Sequence, residues 1–265
     1  MANRMWLALT CGCVLGTLGP ASVQAQDNFE IQVYGSETVA PSTTMVELHS
    51  NYTAQGSITR INGVLPTDHA VHETLEITQG VTPWFEVGAY LFTSLPSGGA
   101  YQWVGSHIRP RVRAPEQWEW PVGVSLSAEV GYQRRAFSED TWSLELRPIV
   151  DRQFGRFYVS FNPTLDKALD RGGSDGSVQF SPNIKLSYDI TSLVTAGIEY
   201  YGTLGPVTAF SPTGDQQHQI FPAIDLNFSP AWEFNFGVGF GLTPATDHTI
   251  VKMILGRRLN LLAGE

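Results

Sequence analysis

Arg109, Arg111 and Arg113 stand at every second position of one stretch, with Pro110 and Val112 between them. In an extended chain that spacing sends all three guanidinium groups to one face, because successive side chains alternate. Glu86 lies in the stretch before and Glu129 in the stretch after, each in phase to face the arginines if the stretches are paired neighbours. Opposite charges on adjacent strands are close enough to pair, whereas like charges in a row repel. The same polar phase carries Glu47, His49, Glu145, Arg147 and Lys185, with Glu76, Asp166, Glu199, Asp225 and Lys252 on further stretches. Two chemistries suit such a face: a salt-bridge lattice that braces the structure from within, or a charged constriction that selects solutes by sign.

Catalysis finds little support. Leu48-His49-Ser50-Asn51 and Ser106-His107 place a base next to a hydroxyl, but neighbours on a strand point to opposite faces. A Ser-His triad would have to assemble from distant strands, as in a membrane lipid hydrolase. The chain has no nucleophile elbow, no phosphate loop and no metal pair at ligand spacing. His69 and His72, near a loop, are expected to be solvated rather than ligating. The expectation is therefore no catalytic residue, no cofactor and no metal site.

The elements that must position the charged face are long strands. Period-2 alternation runs from Thr44 onward and divides into twelve stretches: 43–54, 69–80, 83–94, 101–114, 120–133, 142–152, 156–166, 177–189, 193–203, 217–228, 231–242 and 248–259. Most have the length that crosses a bilayer at a tilt, about 9–11 residues or slightly more. In 231–242, Trp232, Phe234, Phe236, Val238, Phe240 and Leu242 alternate with Glu233, Asn235 and three glycines. In 120–133, Val124, Leu126, Ala128, Val130 and Tyr132 alternate with Ser125, Ser127 and Glu129. Short connections (80–82, 153–155, 190–192, 229–230) alternate with mostly longer ones rich in Gly, Pro and Asp, the sidedness of a barrel threaded from one face of a membrane. Trp84, Trp118, Trp120 and Trp232 cluster near the short turns, and Tyr132 and Trp142 near the longer loops. Two aromatic girdles at the water boundaries would look like this.

Composition agrees. The chain has 265 residues, 42% of them hydrophobic and 15% charged, with 26 glycines and 16 prolines. Its mean hydropathy of -0.07 excludes a bundle of membrane helices, each of which needs about 20 apolar residues. A net charge of -9 with no basic block excludes nucleic acid as a partner. Residues 1–25 read as a secretory signal: Arg4, an apolar stretch from Met5 to Leu18, then small residues up to Ala25. Cys11 and Cys13 both lie in it, so the exported chain is expected to carry neither thiol nor disulfide.

Phe29-Glu30-Ile31-Gln32-Val33-Tyr34, followed by Glu47-Leu48-His49-Ser50-Asn51-Tyr52, resembles the start of a family of Gram-negative outer-membrane proteins. Its relatives are described as transporters or as belonging to the MetA-pathway of phenol degradation. Trp84-Phe85-Glu86-Val87-Gly88-Ala89-Tyr90 and Arg109-Pro110-Arg111-Val112-Arg113 are similar to it as well. The resemblance covers roughly residues 29–115. It implies an outer-membrane barrel that passes small or aromatic compounds, and it supplies no catalytic residues. One departure is that the last strand ends in Leu259, not in the aromatic residue by which barrels are usually recognised during assembly.

The sequence thus predicts an all-β chain, a single antiparallel up-and-down transmembrane barrel of about twelve strands at 43–259. A signal peptide (1–25) and a periplasmic segment (26–42) precede it, the latter plugging the lumen or packing below it, and a tail (260–265) follows. The expected surroundings are outer-membrane lipid and the barrel assembly machinery, and the expected role is a channel or transporter for a small solute. A closed structural or adhesive barrel with active surface loops, and a secreted β-sandwich that binds carbohydrate, are the alternatives.

Overall fold

The computed structural model describes residues 28–170 and 176–260; the expected signal peptide, 1–25, lies outside the described residues. Thirteen strands form one antiparallel sheet: β1 (Thr44–Gln55), β2 (Val71–Thr82), β3 (Phe85–Leu95), β4 (Gln102–Arg113), β5 (Gly123–Gln133), β6 (Trp142–Phe154), β7 (Phe157–Ala168), β8 (Val178–Asp189), β9 (Val194–Thr203), β10 (Gly205–Pro206), β11 (Gln217–Leu226), β12 (Trp232–Gly241) and β13 (Thr249–Leu259). Every long strand pairs with the next in sequence, and β1 pairs with β13 as well as β2, so twelve strands close into a barrel. The two-residue β10 only adds a rung beside β8 in a loop. Closure leaves no unpaired edge, which is what lets a sheet stand in hydrocarbon. A single closed sheet also has no second layer, so the sandwich alternative does not describe this chain.

Alternation decides the two faces. Along β5, Leu126 and Val130 are exposed while Ser125, Ser127 and Glu129 are buried. On β12, Trp232, Phe236 and Phe240 are exposed and Asn235 is buried. The same inversion recurs round the barrel: the large apolar side chains are outside, and the buried set is rich in Glu, Arg, His, Asn and Thr. In water that arrangement would be upside down; in a bilayer the outer band is solvated by acyl chains. The aromatic residues cap the band. Trp84, Trp118, Trp120 and Trp232 are exposed at the short-turn end, and Trp118 and Trp120 pack together. At the long-loop end, Tyr132 lies between Trp103 and Trp142.

The final strand closes the ring despite lacking a terminal aromatic residue, with Leu259 opposite Thr44 and Leu255 opposite Leu48. Residues 28–42, ahead of β1, run inside the barrel. Asn28, Phe29, Ile31, Val33, Tyr34 and Ser36 are all buried. The segment enters at the long-loop end, where the Asn28 side-chain amide donates to Asp247 (2.7 Å). It leaves at the short-turn end, where the Ser42 N–H donates to the Gly80 carbonyl (3.1 Å). Gly80 is required there: a Cβ would fall 2.3 Å or less from the carbonyl oxygens of Val39 and Ala40.

Candidate functional site

The lumen divides into a filled zone and an open one. A chain segment outside the sheet brings N–H and C=O groups that must find partners once buried. In the filled zone the inward side chains supply them. The side-chain amide of Asn162 (β7) accepts from the Tyr34 N–H (2.8 Å) and donates to the Tyr34 carbonyl (3.0 Å), which also accepts from Ser160 (2.6 Å). Thr74 (β2) donates to the Phe29 carbonyl (2.7 Å) and Lys252 (β13) to that of Ile31 (3.1 Å). Arg111 (β4) donates to the carbonyls of Gly35 (3.2 Å) and Glu37 (2.8 Å). Asp151 (β6) accepts from Ser36, and Glu86 (β3) from the Val39 N–H (2.6 Å). Strands all round the wall therefore grip one strap.

Tyr34 is the centre of the grip. Its ring lies under the guanidinium groups of Arg109 (4.8 Å), Arg147 (4.8 Å) and Arg111 (5.6 Å). Three cations on one ring are held apart by carboxylates: Arg109 pairs with Glu76 (2.6 Å), Arg111 with Glu86 (2.6 Å), and Arg147 with Glu145 (2.8 Å) and Glu30 (3.1 Å). The Tyr34 hydroxyl donates to Glu30 and stands 3.2 Å from the hydroxyl of Tyr90. On the opposite wall Lys252 pairs with Glu199, and Lys185 with Asp225 (2.8 Å) and Glu199 (3.4 Å). Ile31 and Val33 fill the space beside them against Tyr201, Phe221 and Ile250.

The open zone is a cavity of about 510 Å³ at the long-loop end. Loops 56–67, 137–140 and 244–248 form its mouth, and Phe29, His72, His107, Glu129 and Arg147 are among the residues of its wall. Phe29, the outermost ring of the strap, packs on His72 (4.6 Å), Phe92 (5.6 Å) and Phe137 (6.4 Å). His107 donates to or accepts from Glu129 at 2.5 Å, and its ring meets Phe92 edge-on at 4.6 Å. The wall is thus aromatic near its floor and polar above.

The structure brings together most of the residues that the sequence singled out. Arg109, Arg111, Arg147, Glu47, Glu86, Glu129 and His49 are buried on the inner face, with Glu145 and Lys185 only slightly exposed. Arg113 lies lower, at the rim, 3.2 Å from Glu116 in the single helical turn Glu116–Trp118. The arginine row meets the strap and its carboxylate partners rather than open water. His49 is buried inside while Ser50 faces the other way, and Ser106 is exposed while His107 is buried, so neither adjacent pair forms a dyad. One expectation is corrected. His69 is largely exposed in its loop, but His72 is 5% exposed, because β2 begins at Val71 and turns His72 inward onto Phe29. Sequence reasoning also missed that Tyr34 organises the arginines. The available signal was an alternation of Phe29, Ile31 and Val33 with Glu30 and Gln32 that joins no strand of the barrel.

No protein-family model matches the sequence, and no curated protein matches it. Among solved structures, the chain is similar to the COG4313 outer membrane channel from Pseudomonas putida F1, with a TM-score of 0.58 and 12% identity over 87% of this chain and 100% of that one. It is similar to the KdgM porin, with a TM-score of 0.54 and 8% identity over 80% of this chain and 98% of that one. It is also similar to the NanC porin, with a TM-score of 0.52 and 8% identity over 80% and 97%. At these identities the likeness is one of fold: this chain has the architecture of the outer-membrane barrels.

Proposed function

We propose that the protein is an outer-membrane channel for a small solute, closed in this state by its own strap, residues 28–42. The observation that carries the reading is how the strap is held. It contributes no strand to the barrel and is bound chiefly by wall side chains, so residues 28–41 can leave without breaking a rung of the sheet while Ser42 keeps its backbone bond to Gly80. The export signal, the closed barrel and its lipid-facing band support an outer-membrane location. The channel role is supported by the fold shared with proteins described as channels and porins. The aromatic lining of the cavity (Phe29, Phe137, Tyr201) suits a flat, partly apolar solute, in keeping with the resemblance to the phenol-degradation family. With the strap displaced, Arg109 and Arg111 against Glu86 and Glu129 would form the charged constriction, with Arg113 at the rim below it.

Single-channel recording in planar bilayers tests this. The chain from which residues 28–41 are deleted should conduct at least about tenfold more than the full chain, since the strap occupies the lumen from one end to the other. Equal, near-zero currents from both would leave a closed structural barrel. In the deleted background, Arg111→Ala should shift the reversal potential towards cation preference, because rings of fixed charge set selectivity; an unchanged potential would leave the arginines a bracing role alone.

A further inference from the structure

Beside the strap, β1 and β2 place three potential metal ligands on the inner wall. Glu47 and His49 are two apart on β1 and so share a face, and Glu76 on β2 is the direct cross-strand partner of Glu47. One ligand atom from each, the His49 imidazole nitrogen and two carboxylate oxygens, lie within 4.8 Å of one another, and all three residues are buried.

The electrostatics of the trio are incomplete. Carboxylates directly opposite on adjacent strands repel. Glu76 has a counter-charge in Arg109 at 2.6 Å, through one oxygen. Glu47 has no ion pair or hydrogen bond among the described residues, and the nearby arginines are committed elsewhere: Arg109 to Glu76, Arg111 to Glu86. His49 is the independent sign. It is wholly buried, yet neither ring nitrogen has a hydrogen-bond partner, and its Nε2 stands 3.4 Å from the second Glu76 oxygen. A buried imidazole is ordinarily hydrogen-bonded. Here that nitrogen and a Glu76 oxygen whose other contact is the Tyr34 hydroxyl at 3.5 Å converge beside a carboxylate with no ion pair of its own.

We propose that Glu47, His49 and Glu76 bind a divalent transition-metal ion. One imidazole and two carboxylates form a nitrogen–oxygen set suited to zinc-like ions rather than to calcium or magnesium, which prefer oxygen alone. The ion would supply the positive charge that Glu47 lacks. Ligands bound at about 2.0–2.2 Å stand about 3.4 Å apart in a tetrahedral site, so a pair at the 4.8 Å limit must draw together by about 1.4 Å. Glu47 has that freedom, because its partner on β13 is Gly256, where a Cβ would lie 3.0 Å from Glu47 Cγ. Gly256 also pairs with Glu233, which is partly exposed. The inference stands whether or not the barrel conducts.

Equilibrium dialysis of the detergent-solubilised full chain against Zn²⁺, with bound metal measured by mass spectrometry, tests it. One Zn²⁺ per barrel is expected. Affinity should fall at least about tenfold in His49→Gln and in Glu47→Gln, the scale on which metal sites respond to loss of supporting groups, and stay unchanged in the exposed-loop variant His69→Gln. Heat-modifiable migration on a gel verifies that each variant keeps its barrel. Absence of stoichiometric binding, or folded His49→Gln and Glu47→Gln barrels that bind like the parent, would overturn the proposal, as would a loss confined to His69→Gln. Should either variant fail to fold, Co²⁺ added to the parent chain decides: visible d–d bands of a nitrogen–oxygen site support the assignment, and their absence refutes it.

Discussion

The two halves of the lumen are built from the same alternating strands and do opposite things. Towards the short turns, most inward side chains are charged and engaged with the strap or with each other: Arg109, Arg111 and Arg147 stack on Tyr34, carboxylates neutralise them, and Asn162 and Ser160 hold the strap's backbone. Towards the long loops, the strap presents Asn28, Phe29, Glu30 and Gln32, and a cavity of about 510 Å³ remains. The difference is not one of polarity, since both halves have polar walls. It lies in whether another segment of chain arrives to use them. A wall of hydrogen-bonding side chains can line a water-filled channel or replace water around a buried backbone, and the barrel does each at a different depth.

The contrast can be attacked from the filled end first. Arg109→Ala would strand Glu76 and uncover Tyr34 and Tyr90. Breaking a buried ion pair from one side costs about 3–5 kcal/mol, so the temperature at which the barrel loses its heat-modifiable migration should drop clearly. No drop would mean that water already solvates this zone. Next comes the clamp. Asn162→Ala leaves the Tyr34 N–H without its partner, at about 1–3 kcal/mol for an unsatisfied group, while Ser160 still donates to the carbonyl. The barrel should persist while the strap becomes accessible, seen as faster proteolysis of residues 28–42 and as flickering openings in bilayers; a strap as protected as in the parent would show that the clamp is dispensable.

At the open end the effects should be smaller and confined to ligands. Phe137→Ala removes a ring beside Phe29 from the cavity wall. It should weaken binding of a flat aromatic probe such as phenol by about 0.5–1.5 kcal/mol, the worth of one aromatic contact, leaving strap protection unaltered. Equal weakening for a non-aromatic sugar would point to a general change of shape. The smallest effect is in the mouth loop. Asp68 accepts a hydrogen bond from the Gly56 N–H (3.0 Å) and contacts His69, and these hold its carboxyl below the ordinary aspartate range. A depressed folded-state pKa means that the tether is fully present above the ordinary value and is lost as pH falls through the lowered one. Exchange of the Gly56 amide hydrogen should therefore accelerate only in acid, after correction for intrinsic exchange. An onset near neutrality would implicate His69 instead.

Much of this molecule is readable in one dimension. Twelve stretches, their boundaries to within three residues, and the inward faces of Glu86, Glu129 and Arg147 follow from period-2 alternation and turn spacing, and Trp84, Trp118, Trp120, Trp142 and Trp232 are exposed. His72 was misjudged because it sits one residue inside a strand boundary, where a shift of one or two decides between loop and wall. The trio Glu47, His49 and Glu76 escaped notice for a different reason: spacing along one strand shows only two of the ligands, and the third comes from register.

What the sequence settled alone is parity: which side chains face lipid and which are enclosed, because a strand has only two faces and the bilayer accepts only one kind. What only the folded chain decided is the company those enclosed groups keep. The short alternation of the strap, Phe29 to Val33, does not say what it packs against, and its partners Ser160 and Asn162 lie 126 and 128 residues beyond Tyr34. Their meeting depends on closure of the barrel, which converts a row of polar side chains into a socket for a backbone that has nowhere else to satisfy its hydrogen bonds.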